Sequence, residues 1–339
     1  MTGRERAQAT PPNDGRAQAT SHVAMGGGSE FDAIRALLAS WGPLAHGIGD
    51  DAAVFTPPIG EQLVVSTDAL LEGVHFRAPW LSAEEIGARA AAAALSDIAA
   101  MGARALAVLV ALEIPARWHE QLSALAAGLG RVVKEADARI VGGNLTRGER
   151  LGITLTVIGA SARPVHRRGA LAGDALWVTG HLGGPGSALR ELLAGREPTA
   201  ANRVRFAAPV PRLREGAWLA AVGAHAMLDI SDGLAADAGH LAAASDVTCE
   251  LWLDALPRVA GCTPADALGS GEEYELFVAT APDLDAVGFA RRFGVPLTRI
   301  GVVRERTEPS ASLVTLRQCE GAIEPVHVAL PAGHDHLSG

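Results

Sequence analysis

Short acidic motifs beside apolar runs constrain this chain more than any other feature of its sequence. Six aspartates lie in four such motifs: Gly49-Asp50-Asp51, Ser66-Thr67-Asp68, Ser96-Asp97 and Asp229-Ile230-Ser231-Asp232. Carboxylates at the ends of buried elements repel one another unless a cation lies between them. Hard oxygen ligands of this kind suit Mg²⁺, which in such a setting usually accompanies a polyphosphate. The motifs therefore predict that distant acids converge around divalent cations.

Length, charge and cysteine usage exclude several classes of protein. The 339 residues suffice for two domains with substantial cores. The net charge of −9 argues against a nucleic-acid binder, and no apolar stretch approaches the roughly 18 residues of a membrane span. The three cysteines lack any Cys-x-x-Cys spacing, and the first residues lack a signal-peptide pattern. These features predict a cytoplasmic protein without a membrane partner.

The order of apolar runs predicts an α/β (α+β) fold of two domains. Residues 1–28 are polar and rich in small residues, which predicts a disordered tail. An N-terminal domain over residues 29–165 and a C-terminal α/β domain over residues 166–339 follow, joined by a connector at 164–173. Strands are expected at 52–55, 63–65, 106–112, 153–158, 175–178, 275–279 and 300–303, and helices at 83–101, 119–136, 234–244 and in pieces of 191–224.

Two N-terminal motifs place oxygen ligands next to strands. Gly47-Ile48-Gly49 permits a sharp turn before Asp50-Asp51, of which at most one can face a given metal. An acidic surface turn is the alternative. Ser66-Thr67-Asp68 is expected to end a strand, where it can bind a cation or form a helix cap. His75 follows closely enough to contact a substrate, although a lone histidine is more often structural.

The remaining acidic motifs are associated with predicted helices. Asp97 lies inside an Ala-rich helical pattern, where an unpaired buried carboxylate would be costly. It either faces solvent or is compensated by a metal or donor, and its apolar surroundings favour the second interpretation. Asp229 and Asp232 flank Ser231 where a helix is expected to begin. Acids there are ordinary caps, but an apolar strand end beside them favours a metal site.

Gly-rich segments are the candidate loops for phosphate. In Val141–Gly148 we expect a strand-to-loop cradle, in which Gly143 exposes N–H groups, Asn144 offers an oxygen and Arg147 a cation. The segment 180–187 precedes a predicted helix, and it is either an anion site at the helix start or a plain loop.

A third Gly-rich segment, residues 269–276, carries Glu272, Glu273 and the only tyrosine. It is either a solvated loop or one that grips a substrate. No Gly-x-x-x-x-Gly-Lys-Ser/Thr loop is present, which excludes a P-loop enzyme, and the protein-kinase motifs are absent as well.

Taken together and in this order, the motifs resemble those of the thiamine-monophosphate kinase family, in the superfamily of aminoimidazole ribonucleotide synthetase and selenophosphate synthetase. The similarity spans roughly residues 29–337. It rests on Gly49-Asp50-Asp51-Ala52-Ala53-Val54, Ser66-Thr67-Asp68, Glu72-Gly73-Val74-His75-Phe76, Leu95-Ser96-Asp97, Ala99-Ala100-Met101-Gly102-Ala103 and Asp229-Ile230-Ser231-Asp232-Gly233-Leu234.

This resemblance implies ATP- and Mg²⁺-dependent, in-line transfer of the γ-phosphate to thiamine monophosphate, and a homodimer joined through N-terminal strands. By matching positions, the implied Mg²⁺ shell is Asp50, Ser66, Thr67, Asp68, Asp97, Asn144, Asp229 and Asp232. Among these, Asp68, Asp229 and Asp232 are the implied catalytic residues. The implied ATP contacts are Gly143, Asn144, Arg168 and Ser231, and the implied substrate contacts are His75, Glu273 and His334.

The chain departs from the family pattern at three places. Asn144 stands where the family has Asp, Glu272-Glu273 replaces Glu-Asp, and His334 stands where an aromatic residue is expected. These departures keep two other hypotheses open. One is another ATP-dependent synthetase of the superfamily, which would activate a substrate oxygen. The other is a nucleotide-binding protein that has lost turnover.

Overall fold

The computed structural model describes residues 29–46, 48, 56, 58–308, 310–322 and 326. The predicted tail, the strand at 52–55, Asp50, Asp51 and His334 lie outside these residues. Within the described part the strands are β1 (Gln62–Leu71), β2 (Arg104–Ile114), β3 (Arg139–Arg147), β4 (Gly152–Ser161), β5 (Ala175–Thr179), β6 (Ala226–Asp229), β7 (Val247–Trp252), β8 (Leu276–Thr280), β9 (Leu297–Glu305) and β10 (Val314–Arg317).

The helices of the same part are α1 (Ser29–Trp41), α2 (Ala83–Ala100), α3 (Leu122–Glu135), α4 (Gly184–Leu193), α5 (Ala200–Ala207), α6 (Leu213–Ala221), α7 (Leu234–Ser245), α8 (Pro264–Gly269) and α9 (Ala286–Phe293). The predicted α/β fold is confirmed, including the helices at 83–101 and 234–244 and the helical pieces between 191 and 224. No helix in the described residues combines the length and apolarity that crossing a membrane requires.

The strands form two sheets. The first has the order β1-β4-β2-β3 and is mixed, because β2 and β3 are parallel whereas the other neighbours are antiparallel. The second has the order β10-β7-β9-β5-β8-β6 and is also mixed. No strand or helix occurs between β4 and β5, which agrees with the connector expected there. The domain boundary at residue 165 stays a prediction.

Helix α2 lies between the two halves because its side chains are small. Its capping box is complete: Ser82 accepts from the N–H of Glu85, and the Glu85 carboxylate accepts from the N–H of Ser82. One side of the helix packs on the first sheet and on α3. The other side packs against α6 so closely that a Cβ at Gly216 would lie 2.2 Å from the carbonyl oxygen of Ala99. Larger residues would separate the two halves.

Strand β1 is longer than the sequence predicts. The expectation that Ser66-Thr67-Asp68 ends a strand is wrong, since β1 continues to Leu71 and pairs with β4 throughout. Polar side chains are tolerated in its middle because β1 is an edge strand. Along it, Val64 and Leu70 are buried on the inner face, with the half-buried Ser66 and Asp68 between them.

The strand-to-loop cradle expected at Gly142-Gly143 is also wrong. Both glycines lie inside β3, which continues to Arg147. Their role is close packing, since a Cβ at Gly143 would lie 1.9 Å from the carbonyl oxygen of Val110. A register irregularity between Val108 and Leu109 of β2 falls at the same place.

Candidate active site

An acidic cleft lies where α2, β1 and the end of β6 meet. The Ser66 hydroxyl on β1 donates to Asp97 Oδ2 at 2.5 Å, and the Ser96 hydroxyl donates to Asp229 Oδ2 at 2.6 Å. A cavity of about 490 Å³ opens beside these groups. Its lining includes Gln62, Leu63, Val64, Val65, Ser66, Asp97, Ala100, Met101, Pro164, His166, Arg167, Met227, Leu228 and Asp229. Three motifs far apart in sequence therefore meet at one cavity.

The two neighbours Ser96 and Asp97 link α2 to both halves of the protein. Successive residues on a helix project about 100° apart. Asp97 accordingly meets Ser66 of the first sheet, while Ser96 meets Asp229 at the end of a strand in the second. The cleft is thus built on two sheets and one shared helix.

The carboxyl groups of the cleft raise one another's pKa. Burial raises the pKa of Asp97, and the charge of Asp68 raises it further, against the lowering by the Ser66 hydrogen bond and by Arg167. Burial raises the pKa of Asp229 to about 6, with a further contribution from Asp97. Carboxylates that repel in this way gain stability when a cation joins them.

Arg167 is the cation of this cleft that sequence reasoning missed. It lines the cavity and lowers the pKa of both Asp97 and Asp229. The predicted ATP contact Arg168 is its exposed neighbour and is not among the cavity's lining residues. The backbone anchors this connector beside β6, since the N–H of Met227 donates to the carbonyl of His166. Paired arginines in a connector next to acidic motifs were the available signal.

Asp237 is a second missed residue, and it shapes the loop after β6. Its Oδ2 accepts hydrogen bonds from the N–H groups of Ser231, Asp232 and Gly233 at 3.0, 3.0 and 3.1 Å. Burial raises the pKa of Asp237 to about 7, and Asp232 and Asp229 add to this rise. An acid in the first turn of the predicted helix was the signal.

One set of groups near this loop has the spacing of a cation site. Ligand atoms of Asp232, Asp237 and His240 lie within 4.8 Å of one another at the start of α7. Asp232 is half-buried, and it is not among the residues that line the cavity.

Other predicted site residues lie along the first sheet. The Thr67 hydroxyl donates to the carbonyl of Leu155 at 3.2 Å, and Thr67 faces outward, away from Ser66 and Asp68. His75 lies in the turn after β1, where its Nδ1 accepts from the N–H of Leu71 at 3.0 Å.

Gly143 and Asn144 are exposed on β3, at the opposite edge of the sheet from β1. Strands β4 and β2 separate them from Asp68, so about 14 Å lies between these edges. One chain therefore does not bring them to the acidic cleft.

Glu273 is buried inside the C-terminal half. Its Oε1 accepts from the N–H of Gly183 at 2.5 Å, and its side chain is 0% exposed. Burial raises its pKa to about 7, against the lowering by Ser270, Arg205 and Gly183. The neighbouring Glu272 is the acid of this loop that reaches α2, where it pairs with Arg89.

The donors of the cleft fit a hard divalent cation. Ser66, Asp68, Asp97 and Asp229 offer hydroxyl and carboxylate oxygens, and their carboxyl groups are buried enough for mutual repulsion to matter. Mg²⁺ and Mn²⁺ prefer such oxygen ligands, whereas Zn²⁺ sites usually contain Cys or His.

Comparison with known proteins finds matching families over both halves of the chain. The family description AIR synthase related protein, N-terminal domain, matches residues 49–161, and the corresponding C-terminal domain matches residues 172–314. Thiamine-monophosphate kinase of Rhodopirellula baltica is 38% identical over 283 residues, which cover 78% of this chain and 85% of that protein.

Two solved structures share the fold at similar coverage. Thiamine-monophosphate kinase from Stenotrophomonas maltophilia superimposes with a TM-score of 0.74 at 36% identity, covering 85% of this chain and 95% of that one. AaThiL, solved in complex with AMPPCP and TMP, gives a TM-score of 0.70 at 29% identity, covering 90% of this chain and 95% of that one.

Proposed function

The chain belongs to the thiamine-monophosphate kinase family, and we propose from this membership and its acidic cleft that it transfers the γ-phosphate of ATP to thiamine monophosphate. The product is thiamine diphosphate. The observation that carries the proposal is the meeting of Ser66, Asp97 and Asp229 at one cavity between the two sheets. AaThiL binds AMPPCP and TMP on the same fold, which supports both substrates.

Mg²⁺ is part of this proposal. Asp68, Asp97 and Asp229, with the Ser66 hydroxyl, would hold it, and Asp232 offers a further carboxylate at the start of α7. When bound, Mg²⁺ would neutralise charge on the transferring group and screen the repulsion between the two anionic substrates. The predicted ligands Thr67 and Asp50 stay predictions. The Thr67 side chain faces away from Ser66 and Asp68, and Asp50 lies outside the residues that the structure describes.

The protein's own residues act by positioning and by charge. The acceptor is a phosphate that is largely ionised near neutral pH, so no strong general base is needed. Arg167 contributes positive charge at the mouth of the cavity. Asp237 fixes the backbone of Ser231, Asp232 and Gly233, which holds these groups ready for in-line transfer.

The finer contacts with ATP and thiamine monophosphate stay predictions. For ATP they are Gly143, Asn144, Arg168 and Ser231, and for thiamine monophosphate they are His75, Glu273 and His334. Glu273 reaches a substrate only if its loop moves, because its carboxyl is buried against Gly183.

We propose that the chain forms a homodimer through the outer face of the first sheet. Val65 and Leu63 are 60% and 44% exposed there, and Ile158 and Leu109 are half-buried beside them. An apolar sheet face of this kind is a typical protein interface. The edge of β1 in one copy and the edge of β3 in the other, which is bridged to Ala45 at Ile140, would meet when two copies join.

A cytoplasmic location without nucleic-acid or membrane partners is the accompanying proposal. Cys249, Cys262 and Cys319 are all free thiols, which fits a reducing compartment. The net charge of −9 disfavours binding to nucleic acid or to an anionic membrane surface.

The decisive experiment incubates the purified protein with ATP, Mg²⁺ and thiamine monophosphate and separates the products by chromatography. We expect thiamine diphosphate and ADP in equal amounts. Asp68→Asn should abolish most of the turnover, whereas Asp254→Asn, which removes an exposed acid paired with Gln318 far from the cleft, should not. ADP that appears only with another acceptor would indicate a different synthetase. ATP binding without ADP would indicate lost turnover.

A further inference from the structure

A second polar link joins α2 to the C-terminal half, and its centre is a fully buried arginine. Arg89 is 0% exposed, and its Nη2 lies 2.5 Å from Glu272 Oε2. Its Nη1 donates to the carbonyl of Phe206, and the guanidinium lies 4.5 Å from the centre of the Phe206 ring. Because a buried charge is costly unless it is paired, Glu272 stabilises Arg89 in this position.

Arg89 shares a helix face with the acidic cleft. It precedes Ser96 by seven residues, and this spacing places two side chains on the same side of a helix about 10 Å apart. Ser96 is bonded to Asp229, as described above. One face of α2 thus makes two polar links to the C-terminal half, through Arg89 to Glu272 and through Ser96 to Asp229.

The loop that carries Glu272 is bonded to the acidic motif itself. The N–H of Glu272 donates to the carbonyl of Ser231 at 2.7 Å, and the N–H of Tyr274 donates to the carbonyl of Ile230 at 2.9 Å. A displacement of Glu272 therefore displaces the segment between Asp229 and Asp232.

The same loop is held in an unfavourable backbone conformation. Glu272 and Tyr274 have φ angles of 57° and 52°, in the left-handed region that residues other than glycine rarely adopt. Such conformations persist where the surroundings hold them in place, and they cluster at functional sites. The Arg89 ion pair is one of the contacts that hold this loop.

Tyr274 completes the connection by packing. Its ring is buried in the same apolar cluster as the alanines of α2 and Phe206, although it belongs to the C-terminal half of the chain. Burial raises the pKa of the Tyr274 hydroxyl well above its ordinary value, Glu272, Asp68 and Asp229 raise it further, and Arg89 lowers it.

We propose that Arg89 is a positioning residue for the phosphoryl transfer, which acts by fixing Glu272 and thereby the spacing between Asp97 on α2 and the Asp229–Asp232 segment. The inference rests on the proposed function. It assigns the ion pair to the geometry of the metal-binding cleft and not only to the stability of the fold.

The test compares three variants of the full-length protein. Glu272→Gln removes the charge of the half-buried partner, and the double variant Arg89→Met/Glu272→Gln removes the whole pair. Arg203→Gln is the matched control, because Arg203 also links α2 to α5, through Glu85 and the carbonyl of Trp80, without touching the Glu272 loop. Readouts are Mn²⁺ binding by electron paramagnetic resonance with AMPPCP, kcat and KM for thiamine monophosphate, and the unfolding midpoint.

We expect Glu272→Gln to weaken Mn²⁺ binding and to lower kcat by about 10-fold each, the size seen when partners of metal ligands are removed. Its KM should change little, because the substrate contacts remain. The double variant should regain much of the unfolding midpoint, since no buried cation is left unpaired, while its Mn²⁺ affinity stays low. Arg203→Gln should bind Mn²⁺ like the wild type.

Two results would overturn the inference: wild-type Mn²⁺ affinity in Glu272→Gln, or recovery of Mn²⁺ affinity together with the unfolding midpoint in the double variant. The second would show a purely structural ion pair. A wild-type protein that forms no thiamine diphosphate would instead refute the proposed function, and the Mn²⁺ titrations would still decide the role of Arg89.

Discussion

The buried Glu275 and the cleft acids Asp97 and Asp229 differ in the number of cationic partners around them. Glu275, which is 1% exposed, receives two hydrogen bonds from Arg212 at 2.7 and 2.8 Å, one from Arg205 at 2.9 Å and one from the Thr179 hydroxyl at 2.7 Å. Asp97 and Asp229 in the cleft each accept one hydrogen bond from a serine hydroxyl, and the exposed Arg167 lowers the pKa of both.

The difference separates a structural carboxylate from a functional one. A buried charge with complete partners contributes to a defined fold, and breaking it is expensive. Carboxylates that lie close together with little positive charge nearby repel one another. A bound cation relieves this repulsion, which favours cation binding at such a site. The chain thus places two arginines against Glu275, whereas Asp97 and Asp229 share the single exposed Arg167.

The largest effect should follow from Asp229→Asn. Removing this carboxylate deletes a proposed metal ligand, so we expect kcat to fall by at least about 100-fold. The metal-free variant should be no less stable than the wild type, because burial of an ionised group is avoided. Steady-state assays and urea unfolding in a chelator measure the two quantities. Turnover within tenfold of wild type would show that Asp229 is not a metal ligand needed for phosphoryl transfer.

The reverse pattern is expected for Arg212→Met. This variant leaves Glu275 with an incomplete set of partners, and the free energy of unfolding should fall by about 3–5 kcal/mol. The Mn²⁺ affinity of the molecules that remain folded should fall far less than in Asp229→Asn, because no proposed metal ligand is removed, although the carbonyl of Glu275 accepts from the N–H of Ile230 beside Asp229. Urea unfolding and Mn²⁺ titration at low temperature check both. A loss of stability below about 1 kcal/mol would contradict the structural assignment, since that is the size of an exposed pair.

The sequence predicted the elements of the cleft better than the directions of its side chains. Apolar runs and the Ala-rich pattern located α2 and α7 and indicated an apolar strand end before Asp229, because periodicity reports burial. Ser66 and Asp68 were placed after a strand that in fact continues to Leu71, since an edge strand accepts polar residues that look like a strand end.

The missed residues depend on tertiary packing. Arg89, Arg167 and Asp237 act through partners 4 to 183 positions away, such as Gly233 for Asp237 and Glu272 for Arg89. A helical pattern does not state which neighbour will cover a buried arginine. The Gly142-Gly143 pair predicts a loop but lies in a strand, because close strand packing and a sharp turn select the same residue.

The pH dependence of stability should distinguish the buried Glu273 from exposed acids. Its pKa is raised to about 7 from an ordinary value of 4.5, so the folded protein binds a proton more tightly than the unfolded chain. Stability from this group is present below about pH 4.5 and is lost as the pH rises towards 7.

Glu273→Gln should therefore flatten the fall in unfolding free energy between pH 5 and 7 by up to about 1.4 kcal/mol per pH unit. Urea unfolding in a chelator across this range measures the slope, with Asp254→Asn as the exposed control. Equal slopes in wild type and Glu273→Gln would show that this carboxyl is ionised in the folded protein.

The smallest effect is expected from Asn144→Asp, and it tests whether the cleft is completed by a second copy of the chain. Within one chain Asn144 lies at the edge of the first sheet opposite β1, two strands away from Asp68. A dimer that brings the β3 edge of one subunit to the β1 edge of the other would place the new carboxylate beside the acidic cleft. Because the site is exposed, we expect Mn²⁺ affinity to rise by only about 0.2–1 kcal/mol.

The same substitution in a Leu109→Glu/Ile158→Glu background decides how Asn144 acts, because these two residues of the outer face do not line the cleft's cavity. The two glutamates charge the exposed apolar face, so sedimentation should show a monomer. In that monomer Asn144→Asp should leave Mn²⁺ affinity unchanged, because the partner's cleft is absent and its own cleft lies about 14 Å away. If the gain in affinity persists in the monomer, Asn144 acts within its own chain and the proposed arrangement of the two subunits is wrong.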